Sequence, residues 1–149
     1  MDLNAGPKLI PSPAVAALIV TDDGRYLLQH RDDFPRIFFP GFWGLFGGAV
    51  EPGEKVHDTL HRELAEELGF TPRGARHFAT TILDFGFGGY GPMPRHFFEV
   101  AIAPEDVDTM VLGEGQGLGL VAGPDVLTMP NVVPYDATAV WQHMTRHRY

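Results

Sequence analysis

Residues 48 to 70 read GAVEPGEKVHDTLHRELAEELGF, a glycine turn running into a stretch where Glu63, Glu66 and Glu67 occupy neighbouring positions of one helix. Carboxylates three and four residues apart stand side by side on a helix, and like charges so placed destabilise it unless a cation lies between them. At about 100° per residue, Val56, Leu60, Leu64 and Leu68 make one apolar stripe suited to packing on a core. Glu67 falls about 40° from the middle of that stripe and Glu63 about 80°, so both lie at its border instead of on the solvated side. Partly buried like charges about 4 Å apart repel by about 4 kcal/mol at an effective dielectric of about 20. Arg62 can supply part of the compensation and a divalent cation more. The donors on offer are hard oxygens, with no Cys and no convincing His pair, which favours Mg²⁺ or Mn²⁺ over Zn²⁺.

The 149 residues suit one domain with a real core. We expect a single domain over residues 13–149, preceded by a loose arm over residues 1–12, where Gly6, Pro7 and Pro11 break regular structure. No apolar run is long enough for a membrane span and no charged-then-apolar leader is present, so a cytoplasmic location is expected. The net charge of −8 argues against extended nucleic acid as a partner, which calls for a basic face. A small phosphorylated ligand is compatible, because a bound metal reverses the local sign of the potential. The absence of Cys excludes disulfides and thiol catalysis.

Along the chain, Ala14–Val20 reads as a buried strand, and Asp22-Asp23-Gly24 turns it into a second strand over Tyr26–His30. Residues 31–41 form a Pro- and Phe-containing loop, and residues 42–46 a short strand that delivers the chain to Gly47-Gly48. Pro52-Gly53 opens the acidic helix, Gly69 closes it and Pro72 prevents its resumption. Further strands are expected over residues 76–85, 95–103 and 107–112, with loops over 86–94 and 113–119. A short helix over 124–129 and a longer one over 136–147 end the chain, the latter with Ala139, Val140, His143 and Met144 inward. Strands bracketing one helix and ending in another predict an α/β sandwich around a mixed sheet.

The acidic segment resembles the signature of the Nudix hydrolases, G-x5-E-x7-R-E-U-x-E-E-x-G-U with U a bulky apolar residue. Gly48, Glu54, Arg62, Glu63, Leu64, Glu66, Glu67, Gly69 and Phe70 match every fixed position. The departures are Phe70, where an aliphatic residue is usual, and Phe46, where many members carry Pro. The resemblance implies an α/β/α sandwich and a Mg²⁺- or Mn²⁺-dependent pyrophosphohydrolase acting on a nucleoside diphosphate linked to another group. It also implies that Glu63, Glu66 and Glu67, with the Gly47 carbonyl, hold the metal. A non-catalytic nucleotide-sensing module on the same fold is the competing reading, although such modules are expected to lose box carboxylates. Isopentenyl diphosphate isomerase, related in fold, needs a cysteine that this chain lacks.

Family members draw their general base either from the box, here Glu63, or from a mobile loop late in the domain. Glu114, alone among Gly113, Gly115, Gly117 and Gly119, is the candidate for the second arrangement, against the plainer reading of a surface residue in a turn. Arg62 is expected to pair with Glu54 or Glu66 and set their rotamers, with Glu54 as an orienting residue. Phe85 and Tyr90 are candidates for stacking a nucleobase, and Arg36 and Arg95 for meeting phosphate. Trp43 reads as core packing. The oligomeric state is open, with a homodimer among the possibilities.

Overall fold

The computed structural model describes residues 9–148, so most of the expected arm lies outside it. The elements in chain order are β1 (Ala14–Val20), β2 (Arg25–His30), β3 (Trp43–Gly44), β4 (Phe46–Ala49), α1 (Val56–Leu68), β5 (Arg76–Asp84), β6 (Pro92–Ala101), β7 (Gly117–Ala122), α2 (Gly123–Val126) and α3 (Pro134–Met144). β1 is the axis of a mixed sheet ordered β3-β2-β1-β6-β5, with β4 paired to β1 and β7 to β2. It runs parallel to β6, from Ala14 opposite Arg95 to Val20 opposite Ala101, while the other pairings are antiparallel. A strand so placed is covered on both faces, which explains its uninterrupted apolar run. Val15, Ala17 and Ile19 pack with Leu60, Leu64 and Leu68 of α1, whereas Ala16 and Leu18 pack with Val126, Ala139 and Val140 on the α3 side. The expected sandwich around a mixed sheet is therefore the observed architecture.

The helix follows its stripe. Leu60, Leu64 and Leu68 are fully buried, and Gly69 ends α1 in the left-handed region at φ 59°, its N–H bonded to the Ala65 carbonyl at 2.9 Å. β1 pairs with β2 only where Val20 faces Tyr26, and with β4 over Ala14–Ala17. Its two partners thus take different stretches of the strand, and the cavity described below is bordered by both. Among the described residues no helix is long and apolar enough to cross a membrane.

Several expectations differ from what is observed. Residues 42–46 are not one strand but the whole of β3 and the start of β4, each paired to a different neighbour. The loop expected over residues 86–94 is shorter, because β6 already begins at Pro92 and pairs there with Asp84. No strand forms over 107–112. A 3-10 turn over Pro104–Thr109 stands there instead, its apolar Val107, Met110 and Leu112 packing onto the α1-side core. The glycine-rich stretch expected to be loop contains the start of β7, where Leu118 and Leu120 alternate into that core. An added Cβ at Gly117 or Gly119 would meet nothing within 4 Å, and these glycines alternate with Leu118 and Leu120 onto the opposite face, which Val121 shares with the α3-side core, so they belong to a strand and not a loop.

Truncating the stripe at its centre creates a cavity that the sheet cannot fill. Leu64→Ala is expected to cost about 2–5 kcal/mol of unfolding free energy, measured by urea titration, with loss below about 1 kcal/mol contradicting the packing.

Candidate active site

The site is built around Arg62. Its guanidinium donates from Nε to Glu54 Oε2 at 2.8 Å and from Nη2 to Glu54 Oε1 at 2.9 Å and to the Ala49 carbonyl at 3.0 Å. Nη1 donates to Glu63 Oε1 at 2.9 Å and reaches Glu66 at 3.4 Å. The pairing expected with Glu54 or Glu66 is thus made with both, Glu54 taking the two-pronged form and Glu63 joining. Glu54 also accepts from the Thr59 hydroxyl at 2.7 Å and the Glu51 N–H at 3.1 Å. These bonds, Arg62 foremost, hold its carboxyl down to about 2. Glu54 therefore braces the turn before α1 and orients Arg62.

Glu67 is the buried member of the cluster, 3 % exposed. Its Oε1 accepts the Gly47 N–H at 2.9 Å and its Oε2 the Gln29 amide at 3.3 Å. Burial, reinforced by repulsion from Glu114 and Glu63, pushes its carboxyl up to about 8. Burial likewise raises Glu63. The glycine pair is a steric consequence of this packing: a Cβ at Gly47 would stand 2.0 Å from the Val15 carbonyl oxygen, and one at Gly48 2.4 Å from Glu63 Cδ.

The loop before β7 closes over the end of α1. Gly113 donates to the Glu67 carbonyl at 2.8 Å, and a Cβ there would lie 2.3 Å from the Glu66 carbonyl. Gln29 donates to the Glu114 carbonyl at 3.0 Å, Gly115 N–H to Asp32 at 3.2 Å, and Gln116 N–H to the His30 carbonyl at 2.7 Å. Glu114 thus sits at the tip of a pinned turn with an exposed carboxylate, in contrast to the freely mobile loop expected from its glycines.

These groups line a cavity of about 460 Å³ that takes in Gly47, Glu63, Glu66, Glu67 and Glu114 together with Arg36 and Arg95. Glu63 and Glu66 turn toward Arg62 and Glu67 toward the Gly47 amide, and among the described residues no three such side chains already converge as a metal-binding group. Two candidates stand elsewhere. Phe85 borders a smaller neighbouring cavity of about 160 Å³, 6.0 Å from the Phe38 ring, and Tyr90 lies outside both, its N–H closing the 85–90 turn. Trp43 stacks on His30 at 4.6 Å and packs against the α3-side core, as expected of a packing residue.

Gln29, Tyr135 and Asp136 also line the cavity, although no sequence motif marks them. Gln29 is 4 % exposed and directly follows the buried run Tyr26–Leu28, and that polar interruption is its available signal. Asp136 reads in sequence as an ordinary acidic residue at a helix start. In the fold it accepts the Leu45 N–H at 3.0 Å and pairs with Arg95 at 3.0 Å.

Fold and site together define an α/β protein with a carboxylate-lined cleft at the edge of one helix. The NUDIX domain matches residues 11–136, and the chain belongs to that family. It is 53 % identical over 51 residues to the nucleoside triphosphatase NudI of Escherichia fergusonii, a segment covering 34 % of this chain and 36 % of that protein. The chain thus matches only about a third of the length of this curated relative. Its fold superposes on the MutT protein of Methanosarcina mazei with a TM-score of 0.75 at 21 % identity, covering 94 % of this chain and 99 % of that one. A MutT NUDIX hydrolase from Burkholderia pseudomallei gives 0.70 at 25 % identity, over 89 % and 98 % of the two chains.

Glu67 makes the stability of the metal-free protein depend on pH. With its folded carboxyl near about 8 against an ordinary 4.5, the native state holds more protons than the unfolded state between these values, so stability falls as pH rises through that window. Burial depresses His143 and His96, which act in the opposite sense near the usual imidazole range, so Glu67→Gln is the proper reference. The melting temperature of the wild type relative to Glu67→Gln, both free of metal, is expected to fall from about pH 5 to about pH 8. Parallel curves would mean that Glu67 titrates like an ordinary carboxylate.

Proposed function

We propose that this chain hydrolyses a phosphoanhydride bond in a nucleoside diphosphate linked to another group, with nucleoside triphosphates and nucleotide sugars as the substrate class, and that it uses Mg²⁺ or Mn²⁺. Family membership and the similarity to a nucleoside triphosphatase support the hydrolase reading. The observation that carries it is the surplus of carboxylate at the cavity: Glu63, Glu66, Glu67 and Glu114 line it, the one guanidinium behind them, Arg62, is shared among Glu51, Glu54, Glu63 and Glu66, and the buried Glu67 has no cationic partner among the described residues. Such a surplus of hard oxygen donors fits a hard divalent cation. Glu63, Glu66 and Glu67, with the Gly47 backbone beside them, are the residues that would hold it. A cation bound there supplies a lowered pKa for water and offsets charge on the departing phosphate.

The chain's own groups do the rest. Arg62 and Glu54 hold the box rotamers, and Gly47 and Gly48 let the strand lie close enough for Glu67 and Glu63 to face the cavity. Glu63 is tied to Arg62, whereas the exposed carboxylate of Glu114 makes no ion pair among the described residues. We therefore assign proton acceptance from water to Glu114, because a base must be free to reach the proton that it takes. Arg36, exposed and likewise without an ion pair among the described residues, is the group placed to meet substrate phosphate.

The purified chain, assayed with Mg²⁺ and with Mn²⁺ against nucleoside triphosphates and nucleotide sugars, is expected to release two products identifiable by mass. Glu66→Gln and Glu67→Gln should each lower kcat by at least about a hundredfold, the scale of removing charge from a metal site. Near-normal turnover in both would sink the metal assignment. Millimolar Mg²⁺ should raise the wild-type melting temperature at constant ionic strength, since ligand binding to the native state stabilises it, and should do so far less in Glu67→Gln.

Glu114→Gln is expected to reduce kcat by roughly ten- to a thousandfold while keeping the metal-induced thermal shift. A wild-type rate in Glu114→Gln together with an inactive Glu63→Gln would move the base to the helix.

A further inference from the structure

On the α3 side of the same cavity, an arginine stands in an environment opposite to that of Arg62. Arg95 leaves β6 opposite Ala14 of β1, and its side chain is 15 % exposed. Its Nε and Nη2 both donate to Asp136 Oδ1, at 3.2 and 3.0 Å, while Asp136 Oδ2 accepts the Leu45 N–H at 3.0 Å. The guanidinium lies 4.6 Å from the centre of the Tyr135 ring and 5.5 Å from that of Phe97. Ion pair and aromatic contacts hold the plane of the guanidinium. Among the described residues no protein acceptor takes the Nη1 hydrogens, and Arg95 lines the cavity.

We propose that Arg95, held by Asp136, reads the acceptor edge of the substrate's base, so that the site selects nucleotides of keto bases over their amino counterparts. The proposal rests on the nucleotide reading given above and names the base within it. Asp136 cancels the charge of Arg95 at close range, which makes Arg95 a poor phosphate clamp beside a wall of glutamates and leaves it a rigid donor. Asp136 in turn is buried, and its oxygens already accept three hydrogen bonds of the roughly four that a carboxylate can take, so it offers little to an amino group. Tyr135 and Phe38 supply apolar ring surface beside these donors. Uracil, thymine and guanine present a carbonyl oxygen where cytosine and adenine present an amino group, and a donor edge on the protein meets the first with a hydrogen bond and the second with another donor. A site built to donate to a particular group rejects the analogue that lacks it, because its own polar atoms are then left unpaired.

The test is calorimetric titration of the full chain, with Mg²⁺ present, against the monophosphates of uridine, cytidine, guanosine and adenosine. Uridine over cytidine and guanosine over adenosine are each expected to bind at least about tenfold more tightly, the low end of discrimination by a well-placed arginine. Arg95→Met alone strands the buried Asp136 charge, so the informative variant is Arg95→Met with Asp136→Asn, which should bring both ratios within about twofold. Arg36→Gln should weaken all four nucleotides alike and leave the ratios in place. Equal binding in the wild type, preference for the amino bases, no binding of any of the four, or a ratio that survives in the double variant would each overturn the proposal. The wild-type ratios decide it if the double variant does not fold. Triphosphate hydrolysis measured in parallel separates the two readings: turnover without base preference removes the base assignment alone, and base-selective binding without turnover removes the hydrolase.

Discussion

Glu67 is held in a place where water cannot solvate it, and four parts of the chain meet to make that possible. α1 delivers the carboxylate, β4 donates the Gly47 N–H, β2 donates the Gln29 amide, and the loop before β7 donates the Gly113 N–H to the Glu67 carbonyl. A buried carboxylate without hydrogen bonds would cost several kcal/mol or stay protonated. Here two donors are supplied, but burial and the repulsion of Glu114 and Glu63 outweigh them, which is why its proton is held to an unusually high pH. The glycines at 47, 48 and 113 follow from this one packing problem, since a Cβ at any of them would enter the space that backbone or carboxylate occupies. The cluster is a local loss of stability maintained by the surrounding core, as expected where geometry serves chemistry.

The cavity exists because β1 shares its edge between two partners. β2 takes its last residue and β4 its first half, while β6 covers the other edge along the whole strand. α1 lies on one face of β1 and α3 on the other, so the cavity has an acidic wall from the first and an Arg95–Asp136 wall from the second. The far end of α3 is tethered by buried His143, which meets Tyr26 Oη at 2.6 Å through Nδ1 and Glu99 through Nε2. That network is remote in sequence from Asp136, yet it sits on the same helix and contributes to where the acidic first turn of α3 comes to rest.

The parts of the fold read most directly from sequence are those governed by local period and capping. The stripe of α1, its glycine stop and the unbroken run of β1 each follow from neighbours within a few residues. Residues 107–112 and 117–119 carry signals that point the wrong way: an apolar run packs in and beside a 3-10 turn, and alternate glycines stand within a strand. The acidic wall was legible because its residues share one helix. The Arg95–Asp136 pair was not, because its partners stand 41 residues apart and meet only through the register of β6 and the start of α3. Phe85 and Tyr90 were drawn toward the site by residue type alone. The turn they occupy places Phe85 beside a neighbouring cavity and Tyr90 beyond it.

The contrast between Arg62 and Arg95 shows how partner number sets what one residue type can do. Arg62 is shared among several carboxylates, so each pair is incompletely neutralised and the wall keeps a negative surplus. Arg95 is matched to a single carboxylate whose second oxygen is taken by backbone, so almost no net charge is left and its contribution reduces to the direction of its free N–H groups. Coulomb attraction falls slowly with distance and is indifferent to orientation, whereas a hydrogen bond weakens steeply once its angle departs from linear. On the function proposed above, the acidic wall is therefore suited to gathering a metal and, through it, a diphosphate of any identity. On the same proposal the α3 wall, near neutral, is suited to distinguishing what the diphosphate carries.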